Sequence, residues 1–441
     1  MGYKHQWTDI QNWIGKSSKL FIKKLSRNDC VWADGAKNGH QNGIYIPREI
    51  RDANFFPALK QRKDKEHIYD RLFQTFWPAT GEEMQSSLKH YSNKGSEMHF
   101  TRVPKKEFAD LTPASLLIGG HLQEAVGTAH YWFVILDSSS DEAELLEARF
   151  GLSSDFHFGV FDTIADADAS AIEIDKLIEE LSAALNSGSL QKFIAYASKL
   201  PASEVLAADA QQIFLDKHRL RSLDPYVIPA PGDAIMRISR DIEYTLFKRV
   251  ELRRRTAEVI NIISKNTDLV SSVVRGFREL DAIFLSASQQ RKSRAGQSFE
   301  LHIGRMLRDG HIAHEEQKVI SSRRPDFILP TLVMLKLKKR SYDDAAILSA
   351  KTTLRERWKQ LALEKFNSAI FLATVDDRVS EDAINDMSAQ KIHLVVPESL
   401  KWSSETCYSK KANVITFRDF FDDEIAKKRP KLRIINNPRL I

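Results

Sequence analysis

The chain is 441 residues long, 42% hydrophobic and 28% charged, which gives two or three domains enough apolar material for cores of their own and excludes an extended disordered protein. Two cysteines far apart, Cys30 and Cys407, supply neither a disulfide framework nor a structural zinc site. With no apolar run near the ~18 residues of a membrane span and no apolar signal core at its start, the chain is expected in the cytoplasm and away from membranes.

The net charge of +6 divides unevenly: 19 Lys and Arg stand against 14 Asp and Glu in residues 1–130, 6 against 16 in 131–220, and 40 against 29 in 221–441. This is the pattern of two polyanion-binding modules joined by an acidic connector. In chain order, KLFIKKLS, GIYIP, SEMHFTRV and HYWFVIL are short apolar runs punctuated by Gly, Asn and Asp. They predict strands of a mainly β domain over residues 1–163. From 164 to 222 the chain turns Ala-rich and acidic, with apolar residues at helical spacing and breaks at Gly188 and Pro201, which predicts a helical connector. The prolines of DPYVIPAPGD open a third segment, 223–441. Two long amphipathic helices are predicted there, RDIEYTLFKRVELRRRTAEVINIISK and the run from DLVSSVV to GRMLRDG. Strands PDFIL, AAILSAK, SAIFLAT and KIHLVVP then alternate with helices LRERWKQLALEKF and SEDAINDMSA. Helices followed by this alternation indicate an α/β domain with a mixed central sheet.

Within that alternation Asp326 opens one strand, Lys351 closes the next, and Glu364 follows on a helix beginning near Thr353, where Arg357, Leu361 and Glu364 share a stripe. Hydrolysis of a phosphodiester needs a divalent cation on the non-bridging oxygens, a water in line, and positive charge near the developing anion. Mg²⁺ takes oxygen ligands, commonly one or two carboxylates. Asp326 and Glu364 are candidates for those carboxylates, and Lys351 for the group that orients the water and neutralises the phosphate. Taken singly, such residues are ordinarily a turn or cap aspartate, a solvated lysine and an exposed helix glutamate; their order along the chain is what points to a nuclease site. Glu300 in QSFELH is a third acid able to reach the same cleft. His302, His311 and His314 lack companion ligands and are expected in the core or on the surface.

Arginine can donate two hydrogen bonds to guanine and a carboxylate can accept from cytosine N4. Arg355, Glu356 and Arg357 therefore suit the reading of adjacent C·G pairs, the plainer alternative being a solvated, salt-bridged helix face. Arg291, Lys292 and Arg294 are expected on phosphates, contributing affinity and salt dependence rather than sequence choice.

The runs RKSRAGQSFELH, RRPDFILP and AKTTLRERWKQLALEKF resemble, over about residues 285–370, the catalytic domain of EcoRII-like type II restriction endonucleases, members of the PD-(D/E)XK nuclease superfamily. The likeness continues more weakly through IHLVVPESL and back to about residue 235. The usual superfamily signature places an acid two residues before the lysine, where this chain has Ser349 and Ala350 ahead of Lys351. The resemblance implies that the second metal-binding acid comes instead from the following helix, as Glu364. It assigns Asp326 and Glu364 to the metal, Lys351 to catalysis and Glu300 to a supporting role. KKLSRNDCVWADGAKNGHQNGIYIP is similar to the opening of the family's amino-terminal effector-binding domain, a B3-like DNA-binding pseudobarrel. The similarity places Lys23, His40 and Tyr45 in a DNA-facing segment and Arg102, in HFTRV, in a second one that is less arginine-rich here.

The expectation is thus an α/β, restriction-endonuclease-like catalytic domain behind a mainly β, B3-like amino-terminal domain. The resemblance implies a Mg²⁺-dependent double-strand endonuclease of a type II restriction-modification system, working alongside a cognate DNA methyltransferase. Its site would be a short palindrome of CC(W/N)GG type, cut by a homodimer because two half-sites meet a two-fold protein. A second DNA copy at the amino-terminal domain would relieve inhibition. Two alternatives are a structure-selective repair or recombination nuclease on the same core and a non-catalytic two-module DNA-binding regulator. The joint presence of Asp326, Lys351 and Glu364 weighs against the regulator.

Overall fold

A computed structural model describes residues 6–30, 32–33, 43–93, 98–109, 111–150, 152, 156–162, 168–197, 201–265, 268–318, 325–354, 358 and 367–434, with all side chains among them except those of 144, 148, 168–173, 288, 289, 291 and 292. The chain divides into two units. The first is Met1–Ala171 with Asp377–Ser380 and Ser403–Cys407, and the second is Ile172–Asp376 with Glu381–Trp402 and Tyr408–Ile441.

In the first unit, strict side-chain alternation on central strands builds two cores on one sheet. Its nine strands are β1 (Ser17–Lys24), β2 (Ile44–Ile46), β3 (Lys60–Gln61), β4 (Ile68–Trp77), β5 (Glu82–Tyr91), β6 (Met98–Thr101), β7 (Leu116–Val126), β8 (Ala129–Leu136) and β9 (Phe158–Asp162). They run in the order β2-β6-β5-β4-β8-β7-β1-β9, with β3 on β4, and the β4–β8 pairing is parallel. Along β8, Tyr131, Phe133 and Ile135 enter one core with Phe21 and Leu117. The intervening Trp132, Val134 and Leu136 enter the other with Leu20, Ile22, Leu116 and Ile118, as a period of two requires. Helices α1 (Trp7–Gly15) and α2 (Asp141–Phe150) supply Ile10, Ile14, Ala143 and Leu146 to that second core. Gly119 and Gly120 of β7 lie so close to the Phe133 and Trp132 rings that a Cβ at either would collide with them, so the rings pack against bare backbone. Two lysines of β1 are buried: Lys23 pairs with Asp29 and Lys24 lies 3.2 Å from Asp377.

The second unit has a six-stranded mixed sheet of β10 (Glu315–Glu316), β11 (Phe327–Leu329), β12 (Ala346–Ala350), β13 (Ala369–Ala373), β14 (Ile392–Val396) and β15 (Val414–Thr416), in that order. The first two pairings are antiparallel and the last three parallel. AILSA and AIFLA, the β12 and β13 sequences, are buried throughout, as strands covered on both faces must be. Helices α3 (Asp168–Asn186), α4 (Leu190–Ala197) and α5 (Ser203–His218), the expected connector, belong almost wholly to this unit, with α6 (Tyr244–Ile263), α7 (Leu269–Asp309) and α8 (Glu381–Ala389). The two predicted amphipathic helices are therefore observed as α6 and α7. Asp268 caps α7 by accepting from the Val270 and Ser271 amides, and the far end of α7 sends Phe299, Ile303, Met306 and Leu307 into the core. The fold class is the one expected: an α/β domain with a mixed sheet, behind a mainly β domain. Among the described residues no helix is long and apolar enough to cross a membrane.

Beside β8's aromatic core, burial, with the Glu82 charge adding to it, pushes the Glu107 carboxyl up to about 7, and among the described residues its Oε1 has no hydrogen-bond partner. Folding raises this carboxyl from 4.5, so its contribution to stability is complete below about pH 4.5 and is lost as the pH rises past 7. Glu107→Gln is expected to stabilise the first unit at pH 8.5 by about 1–2 kcal/mol after allowance for partial solvent screening, and to leave stability at pH 4.5 nearly unchanged. Thermal melts of the full chain at both pH values measure this; a gain at the acid end alone would contradict it.

Candidate active site

Strand β12 ends at a point where three elements converge. The antiparallel register of β11 on β12 places Phe327 opposite Leu348, so Asp326, just ahead of β11, reaches the carboxyl end of β12. Its Oδ2 accepts from the Ala350 amide at 2.7 Å and from the Lys351 ammonium at 2.8 Å. Asp326 is only 6% exposed, and a carboxylate so buried is tolerated because both donors, one of them charged, are aimed at it. Lys351 is fixed in turn: its amide donates to Ala373 O at 2.9 Å and its Nζ to Ala350 O at 2.8 Å.

The second acid comes from α7. Glu300 Oε1 lies 3.9 Å from Lys351 Nζ, and its Oε2 accepts from the Gln317 side-chain amide at 2.6 Å. Burial first, then the Asp326 charge, raises the Glu300 carboxyl to about 7, against the opposing pull of Lys351 and Gln317. Two carboxyls are thus held close enough that one titrates near neutrality. Hard oxygen donors pressed together in this way fit a divalent cation, which takes carboxylate oxygens and relieves their repulsion. Among the described residues no three His, Cys, Asp or Glu side chains form a group able to hold a metal ion. Glu364, the expected further ligand, lies outside the described residues.

The structure therefore brings together Glu300, Asp326 and Lys351, three of the residues singled out in the sequence. Arg355, Glu356, Arg357 and His40 lie outside the described residues, as do the side chains of Arg291 and Lys292. Arg294 is placed otherwise than expected. Its guanidinium sits over the Phe247 ring, 4.9 Å from the centroid, and donates to Pro201 O at 3.3 Å; burial lowers its pKa, and in this structure the group is engaged within the fold. Lys23 also departs from expectation, because its buried ammonium is committed to Asp29. That aspartate accepts in addition from the Ser26 and Tyr45 amides, at 2.8 Å each, so the ion pair joins the end of β1 to β2. Tyr45, 37% exposed, lies on the edge strand β2, and Arg102, also exposed, follows the neighbouring strand β6. His302 is a core histidine: its Nε2 lies 2.8 Å from Glu243 Oε2 and its Nδ1 2.9 Å from the Gln211 amide. His314 turns its Nδ1 to Ile312 O at 2.8 Å. Gln317 escaped the sequence reading, since a glutamine in HEEQK carries no pattern of its own.

Three comparisons bear on this arrangement. The family model described as EcoRII C terminal matches residues 261–421, a span that includes Glu300, Asp326, Lys351 and Glu364. The type II restriction enzyme EcoRII of Escherichia coli is 26% identical over 402 residues, 86% of this chain and 88% of the relative. The type II restriction enzyme SsoII of Shigella sonnei is 30% identical over 157 residues, 33% of this chain and 50% of the relative. Among solved structures, metal-depleted Ecl18kI in complex with uncleaved, modified DNA matches with a TM-score of 0.45 at 22% identity, covering 55% of this chain and 85% of that one.

The Gln317 amide is one of the groups that holds the Glu300 charge. In Gln317→Ala the carboxyl is expected to titrate above its present value of about 7, since the charged form loses a donor. Carboxyl ¹³C NMR of glutamate-labelled protein, compared with Glu300→Gln to assign the signal, reads this midpoint. A lower midpoint in Gln317→Ala would contradict the arrangement.

Proposed function

We propose that this chain, a member of the EcoRII-like type II restriction endonucleases and so a site-specific deoxyribonuclease, cuts both strands of DNA through the Glu300–Asp326–Lys351 site. The observation that carries the reading is the lysine ammonium held 2.8 Å from a buried aspartate, beside a second carboxyl that burial and that aspartate raise to about 7. Asp326 and Glu364 would hold Mg²⁺, with Glu300 in support. When bound, the cation supplies a Lewis acid to the scissile phosphate. Lys351, already oriented by Asp326 and Ala350 O, is placed to hold a phosphate oxygen and to neutralise charge as water attacks phosphorus and the leaving oxygen departs. Glu300, titrating near neutrality, can hold or release a proton at that site in the working range of pH.

The substrate is a short palindrome of CC(W/N)GG type, read by Arg355, Glu356 and Arg357, with Arg291 and Lys292 on phosphates. A homodimer in the cytoplasm, beside a cognate methyltransferase, suits such a site. The amino-terminal domain, residues 1–163 in the division drawn from the sequence, binds a further DNA copy through an exposed surface that includes Tyr45 and Arg102. The acidic stretch between two basic segments supports a lock that effector DNA releases.

Asp326→Ala and Lys351→Ala are each expected to slow cleavage by roughly a thousandfold or more while leaving specific duplex binding within about threefold, because these groups act mainly on the transition state. Mapping the ends from a sequenced plasmid and measuring binding without a cation tests both halves. Near-normal cutting by either variant would remove the site assignment, and ends scattered by DNA shape rather than sequence would favour a structure-selective nuclease.

Regulation is tested with a fragment starting at residue 172, which keeps Gln211 on His302. The fragment is expected to cut one-site DNA at least about fivefold faster than the full chain, and a short duplex bearing the site to stimulate only the full chain. Equal rates for the two would leave the front domain as a tether or second reader.

A further inference from the structure

The loop that leaves the catalytic lysine is held at both ends by the segment that leaves β13. At its start, the Lys351 amide donates to Ala373 O at 2.9 Å, continuing the parallel register that sets Ala350 beside Ala373. At its end, the Leu354 amide donates to Asp376 Oδ2 at 2.8 Å. Asp376 is itself braced. Its amide donates to Thr374 Oγ1 at 3.0 Å, its carbonyl accepts from the Tyr408 hydroxyl, and Thr374 and Tyr408 are fully buried. A carboxylate oxygen buried like this is a strong acceptor for that amide.

The residues after Leu354 are Arg355, Glu356 and Arg357, and then Trp358. Leu354 is 0% and Trp358 5% exposed, so the three-residue stretch assigned above to base reading is bounded on both sides by core residues, one with its amide clamped. We propose that Asp376 is a positioning residue for sequence discrimination: through the Leu354 amide it fixes, relative to Lys351, the residue after which the sequence continues into Arg355, Glu356 and Arg357. Loss of the clamp leaves the cutting group in place, since Lys351 keeps Asp326 and Ala373, but removes the bond that holds Leu354, the residue before the reading stretch. A displacement near 1 Å is enough to spoil bidentate base contacts and leave non-specific phosphate binding intact.

This inference rests on the nuclease reading, and the test separates the two. The full chain is assayed on its mapped site and on a panel of single-base variants of that site, taking the ratio of kcat/KM values as discrimination. A wild-type chain that cuts with no sequence preference removes the site-specific reading itself. Given a wild-type preference, Asp376→Ala is expected to lower discrimination by about 10- to 100-fold, mainly through loss on the mapped site, with the variant sites changed by less than about threefold. Asp376→Asn, whose amide oxygen accepts from the same N–H, is expected to retain discrimination within about threefold of wild type. A merely structural role lowers the melting temperature and reduces all rates in one proportion. Discrimination within about twofold of wild type in a folded Asp376→Ala therefore overturns the proposal. Should that variant fail to fold, Tyr408→Phe, which removes the hydroxyl that donates to the Asp376 carbonyl, is expected to lower discrimination by about 2- to 10-fold, and an unchanged ratio there overturns it equally.

Discussion

The site depends on one carboxylate oxygen. Asp326 Oδ2 accepts from the Ala350 amide and from Lys351 Nζ, and so does two tasks with one atom. It closes the end of the β11–β12 ladder, and it holds the Lys351 ammonium in one place. A buried carboxylate without these donors would be strongly disfavoured, and a lysine without the aspartate would sample many rotamers. Beside it, burial first and then the Asp326 charge push the Glu300 carboxyl up to about 7. Such opposition between like charges is what a functional site stores and a cation relieves.

Everything else in the second unit serves to bring those groups to one place. The parallel strands β12, β13 and β14 end on the same side, so Lys351 emerges where ligands are commonly met in open α/β sheets. Helix α7 is anchored on its other flank by the His302, Glu243 and Gln211 contacts, which fix the turn that carries Glu300. Gln317 joins β10 to the same arrangement twice, through its amide on Asp326 O at 2.9 Å and its side chain on Glu300. The loop beyond Lys351 is held to the exit of β13 by Ala373 and Asp376.

The legible parts of this were those with a period or a spacing. Runs such as HYWFVIL and AAILSAK alternate or stay apolar over strand length, and both are strands, β8 and β12. Asp326 and Lys351 were legible from their order at the start of one strand and the end of the next, and Glu300 as an acid on the preceding helix, in a run that carries the family resemblance. Lys23 and Arg294 show the limit. A basic residue reads the same whether it faces phosphate or is folded inward, and only the partner decides: Asp29 for Lys23, Pro201 O and the Phe247 ring for Arg294. Gln317 and Asp376 were illegible for a related reason, since their roles consist in bonds to groups distant in sequence. The expected helix LRERWKQLALEKF, with Glu364, lies outside the described residues apart from Leu354 and Trp358.

The central claim is that the Asp326 and Glu300 carboxyls, with Lys351 beside them, are arranged for a hard divalent cation on DNA. Anomalous diffraction from a crystal of the full chain grown with Mn²⁺ tests it most directly, because Mn²⁺ replaces Mg²⁺ at oxygen sites and scatters anomalously. A peak about 2.0–2.3 Å from an Asp326 carboxylate oxygen is expected, with the Glu300 carboxyl within reach of it directly or through one water. A map in which Mn²⁺ binds elsewhere on the chain, with Asp326 still engaged only by Ala350 and Lys351, would contradict the claim.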